Sequence, residues 1–105
     1  IIHTNLSVGY DVPWQRVHEL AIRAAEQVEL LESDPPPFVL QSSLDDFYVT
    51  YQVNAYTKSP NKQAIIYSDL HRQLLDEFHR AGIELLSPHF RAVRSNEGPE
   101  MPPQA

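Results

Sequence analysis

A chain of 105 residues and 12.0 kDa holds one domain's worth of polypeptide, and its 42% hydrophobic and 21% charged content excludes wholesale disorder. Eight Lys and Arg against 14 Asp and Glu leave a formal charge of −6, which speaks against nucleic acid and against adsorption to an anionic membrane surface, since both demand a basic face. The absence of Cys removes disulfide scaffolds and thiolate metal sites.

The chain opens Ile1-Ile2-His3-Thr4, already inside a strand-like pattern, and reads as a fragment of a longer protein. No run approaches the roughly 20 apolar residues that cross a bilayer, so any membrane contact is expected through segments of the parent. From Ile2 to Tyr10 the side chains alternate, with Leu6, Val8 and Tyr10 on one face and Asn5, Ser7 and Gly9 on the other, which predicts a first strand. Asp11 followed by Pro13 is a helix-start signal. Val17, Leu20, Ala21, Ala24, Val28 and Leu31 then recur at helical spacing, and Asp34-Pro35-Pro36-Pro37 ends any continuation.

Phe38 to Ser42 reads as a short edge strand, with Leu44-Asp45-Asp46 as turn chemistry. The clearest strand follows: Phe47, Val49, Tyr51, Val53 and Ala55 form a core face, while Tyr48, Thr50, Gln52, Asn54 and Tyr56 form a face for water or a partner. Ser59-Pro60 starts a second helix with Tyr67, Leu70, Leu74, Phe78 and Ala81 on its buried stripe, stopped at Gly82. Ile83 to Leu86 predicts a fourth strand, Phe90 to Val93 a further short one, and residues 95–105 a disordered tail beyond a domain spanning 1–94. The order β-α-β-β-α-β predicts an α+β, ferredoxin-like sandwich, with a mixed or antiparallel sheet and both helices on one face.

Catalytic constellations are not apparent. His71 and His79 stand two turns apart with no carboxylate between them on that face, too far for a paired-histidine metal site. The five histidines are therefore expected to be exposed and without structural role. Asp45-Asp46 and Asp76-Glu77 are expected on solvated surface. There is no nucleophile elbow, and three isolated glycines build no phosphate loop. Tyr48 and Tyr56 on the polar strand face suggest base stacking, but Lys58 is the only basic residue near them, and RNA is set aside. Trp14 is expected to pack at the helix start, with a subunit contact as its functional alternative. No enzyme activity, cofactor or metal is expected.

Val8-Gly9-Tyr10-Asp11 before a helix, Asp34-Pro35-Pro36-Pro37-Phe38-Val39-Leu40, a strand ending Asn54-Ala55-Tyr56, and Ala81-Gly82-Ile83-Glu84-Leu85 before Pro88 occur in that order. Together they resemble the C-terminal cytoplasmic α/β domain of the small-conductance mechanosensitive ion channel family, over roughly residues 1–89. The resemblance implies a cell-membrane parent, homoheptameric, with pore helices and a small β domain upstream and this domain on the cytoplasmic side. It further implies a hollow vestibule walled by such domains, opened by membrane tension in osmotic shock, with Phe90, Arg91, Ala92 and Val93 where a base-barrel strand would lie. Tyr48, Thr50, Gln52, Asn54, Tyr56 and Trp14 are the expected vestibule-facing or subunit-contact residues. A small-ligand regulatory module on the same fold is the rival reading.

Overall fold

The computed structural model describes residues 1–86. Their elements run β1 (Ile2–Gly9), α1 (Trp14–Glu26), β2 (Phe38–Leu44), β3 (Tyr48–Ala55) and α2 (Gln63–Arg80), with a 3-10 turn at Pro60–Lys62 before α2. The three strands form an antiparallel sheet in the order β1-β3-β2. This is an α+β fold, and the alternation of β3 explains its central place, because a strand flanked on both sides must offer a well-packed surface on at least one face.

β1 and β3 pair without interruption from Ile2 opposite Ala55 to Gly9 opposite Tyr48. One face of the pair carries Ile2, Leu6, Val8, Val49, Tyr51, Val53 and Ala55, all buried against the helices. Val17, Leu20, Ala21 and Ala24 of α1 and Ile66, Leu70, Leu74 and Phe78 of α2 complete this core. Each fully buried Leu, Ile, Val or Phe contributes about 1.5–3 kcal/mol relative to exposure, so this single layer supplies most of the fold's driving force.

Several expectations are corrected here. Phe47 precedes β3 and is 73% exposed, and Tyr10 lies beyond β1, so neither belongs to the core. α1 ends at Glu26, yet Val28 and Leu31 are still buried, held by turns to Ala25 and Val28 and by a bridge from Leu31 to Thr57. The buried stripe of α2 runs through Ile66, not Tyr67, which is only partly buried. Ser59-Pro60 opens the 3-10 turn and not α2 itself. Neither Asp11 nor Ser59 supplies a side-chain cap: Pro13 and Ser59 occupy the N-cap positions without one.

Among the described residues the expected fourth strand shows a single bridge, in which Leu86 N–H donates to the Ser7 carbonyl at 2.8 Å on the outer edge of β1. That is the edge a ferredoxin-like fourth strand would occupy, antiparallel to β1. The turn that delivers the chain there is a C-terminal helix stop of the Schellman type: Gly82 at φ +75 donates to His79, and Ile83 donates back to Phe78 at 2.9 Å. Phe90–Val93 and the tail at 95–105 lie outside the described residues.

Candidate functional site

The sheet face turned away from the helices is built from alternate residues of β1 and β3, in the opposed pairs His3–Asn54, Asn5–Gln52, Ser7–Thr50 and Gly9–Tyr48. Its centre is drier than a solvent-washed face. Ser7, Tyr48, Thr50 and Asn54 are buried, whereas Gln52 and Tyr56 keep part of their surface open and Asn5 is exposed.

The buried hydroxyls form a directed relay. Thr50 Oγ1 donates to Asp45 Oδ2 at 3.0 Å. A hydroxyl has one proton to give, so across the 3.1 Å contact Ser7 Oγ donates to Thr50. Ser43 Oγ adds a second donor to the same Asp45 oxygen at 3.2 Å, and Ser42 Oγ donates to the Thr50 carbonyl at 3.1 Å. The Tyr10 hydroxyl donates to the Asp45 carbonyl. Asp45 is thus a hub tying the β2–β3 turn to the end of β1, not a solvated turn residue. The register of β2 shifts between Gln41 and Ser43, a bulge that lets Ser42 and Ser43 serve this hub.

Trp14 is 50% exposed at the first turn of α1. Its ring meets the edge of His18 at 5.1 Å, and His18 meets Tyr51 at 5.9 Å. His18 Nε2 also lies 3.1 Å from Gln41 Oε1, pinning α1 to β2. His71 Nε2 likewise lies 3.0 Å from Thr4 Oγ1, joining α2 to β1. The expectation that the histidines lack structural roles fails for these two, because each points from a helix toward the sheet. Tyr51 is buried behind His18, and that burial pushes its phenol above the usual value of 10.0.

Glu77, expected on the surface, is buried between the helices. Gln27 Nε2 donates to it at 3.2 Å, with Arg23 and Arg80 guanidinium nitrogens at 3.7 and 3.9 Å. Among the described residues no three His, Asp or Glu come together as a possible metal site. No described helix is long and apolar enough to cross a membrane.

Sequence reasoning missed the hairpin end of the sheet. There Tyr10, Trp14, Leu44 and Phe47 expose half to three-quarters of their surface. Asp46 and Phe47 are the two central residues of the hairpin turn, which Asp45 N–H closes by donating to the Tyr48 carbonyl, so Phe47 stands in the turn and not on the strand.

The family model described as "Mechanosensitive ion channel MscS, C-terminal" matches residues 2–85, and the chain belongs to that family. No curated protein matches it significantly. The family forms oligomeric, membrane-associated channels, and this chain is a C-terminal domain of such a channel.

Proposed function

We propose that the chain is a non-catalytic vestibule and assembly domain on the cytoplasmic side of a mechanosensitive channel, repeated seven times in the intact parent. The match over residues 2–85 is the observation that carries this reading. In such an assembly one face of the domain must be dry against its own helices while other surfaces meet neighbouring copies or the permeation chamber. The helix-backed sheet, the partly open Gln52 and Tyr56 and the exposed Asn5 support that division of labour. Phe90 to Val93 would supply the base-barrel strand. The surplus of six acidic charges, repeated in each copy, would raise local cation concentration around the chamber.

The reading is tested by expressing the parent that carries this domain in bacteria stripped of mechanosensitive channels. Rescue from hypoosmotic shock and tension-gated current in excised patches are the expected results. Absence of both from a membrane-inserted parent overturns it.

A further inference from the structure

We infer that the hairpin end of the sheet docks a basic segment of another protein, one in which Lys or Arg flank a large apolar side chain. Such docking is separate from the channel role proposed above and does not depend on it.

The apolar part of the surface is set by chain geometry. Gly9 pairs with Tyr48, Leu44 pairs with Val49, and the Tyr10 hydroxyl reaches the Asp45 carbonyl, so these residues share the end of the sheet where α1 begins. Phe47 is 73% and Leu44 74% exposed, with Tyr10 at 53% and Trp14 at 50%. Trp14 is held in place, because its ring meets His18 at 5.1 Å and His18 is tied in turn to Gln41. An aromatic side chain buries about 150–250 Å², so the four together expose roughly 500 Å². That equals the largest apolar patch of a typical monomer, which is often functional, and falls short of the about 800 Å² per partner in a stable interface. A short segment fits this area better than a folded partner does.

The charges around the patch decide the occupant. Asp45 and Asp46 lie in the turn, and Asp11 folds back over Gly9, with an oxygen 2.7 Å from where a Gly9 Cβ would stand. Asp11 and Asp46 are exposed and have no ion pair among the described residues. Arg16, two residues past Trp14, is already held by Glu19 at 2.7 Å. Uncompensated carboxylates beside exposed aromatic rings favour a cation in two ways, by ion pairing at the rim and by cation–π contact with Tyr10, Trp14 or Phe47. The same carboxylates repel a second hairpin end, which would bring three more.

Trp14 is the chain's only tryptophan, so its fluorescence reports on the patch directly. The probe is a capped twelve-residue peptide with two leucines between two pairs of lysines in a Gly-Ser background. It is titrated into the 105-residue chain in about 0.1 M salt, where exposed charges more than about 10 Å apart are screened. Trp14 emission is expected to shift to the blue and to saturate with a Kd on the order of 100 µM, the scale of a contact below standard size. Replacing the lysines by Glu, or the leucines by Ser, should weaken binding about tenfold or more. In the chain, Phe47→Ser should weaken it about fivefold or more, and Asp46→Lys about two- to fivefold, the scale of an exposed ion pair. Asp76→Lys makes the same charge change on the exposed surface of α2 and should stay within about twofold of wild type. Urea midpoints check that the turn variants remain folded.

Equal losses from Asp76→Lys and Asp46→Lys, or equal binding of the leucine-free peptide, reduce the effect to diffuse charge attraction and overturn the site. Emission that does not shift overturns it too. Tighter peptide binding after Phe90→Ser with Arg91→Ser would give the hairpin end to the chain's own C-terminal segment. A dimer in sedimentation equilibrium that Phe47→Ser dissolves would give it to a second copy. Either result overturns docking of a foreign segment, whereas loss of osmotic rescue by the parent bears on the channel reading alone.

Discussion

Glu77 of α2 and Gln27 beyond the end of α1 are joined by a 3.2 Å hydrogen bond across fifty positions of sequence, at a carboxylate that is 4% exposed. Arg23 approaches the same group from a half-open position and Arg80 from an exposed one. The two helices are therefore held by a buried acceptor as well as by apolar contact. Because a buried carboxylate deprived of partners pays its full desolvation cost, the pair's worth lies mostly in keeping Glu77 satisfied.

Replacing Glu77 by Ala should destabilise the chain by about 1–3 kcal/mol in urea unfolding, through the lost hydrogen bond and the void it leaves. Arg23→Ala should cost under about 1 kcal/mol, since its guanidinium is half exposed and Gln27 and Arg80 remain. A double-mutant cycle of Glu77 with Gln27 showing zero coupling would exclude the direct contact.

The relay at Thr50 leads to a second prediction. Thr50→Val preserves shape and removes both the donor to Asp45 and the acceptor for Ser7. The cost should be about 1–3 kcal/mol, because Ser7 is fully buried and keeps an unpaired hydroxyl. Ser7→Ala combined with Thr50→Val should recover part of the loss, since removing both partners leaves less unsatisfied than removing one.

The strands, helices and their order were legible because each writes its period into neighbouring residues. The position of Gly82 was legible for the same local reason. Glu77 was not, because the residues that make burial tolerable lie fifty positions away and hydropathy assigns any carboxylate to the outside. The burial of Thr50 was hidden similarly: alternation marks it as the polar face, and only pairing with β1, which brings Ser7 across 43 positions, shows that its hydroxyl is buried there. The fourth strand failed for want of pairing within the described residues, where Leu86 alone bridges β1. Ile66 and Tyr67 differ by one helical step, which is smaller than the angular width of an apolar stripe.

Gly82 tests backbone conformation in isolation. A Cβ built there meets nothing within 4 Å, so Gly82→Ala carries no steric penalty from neighbours, only that of φ +75. The expected loss is about 1–2 kcal/mol, with Gly82→Asn closer to wild type because Asn tolerates the left-handed region. Equal stability of all three chains would mean that the helix ends some other way.

Tyr51 should contribute to the loss of stability at alkaline pH. Burial raises its phenol above 10.0, meaning that the folded chain holds the proton more tightly than the unfolded one. Its contribution is complete below the unfolded value and is lost as pH climbs through the higher folded value, so the midpoint of urea unfolding should fall increasingly above about pH 10. Tyr51→Phe keeps the ring against His18 and removes the titrating group, and its hydroxyl has no hydrogen-bond partner among the described residues. The variant should match wild type near neutrality and show a shallower decline above pH 10. Parallel declines would assign the alkaline loss to other groups.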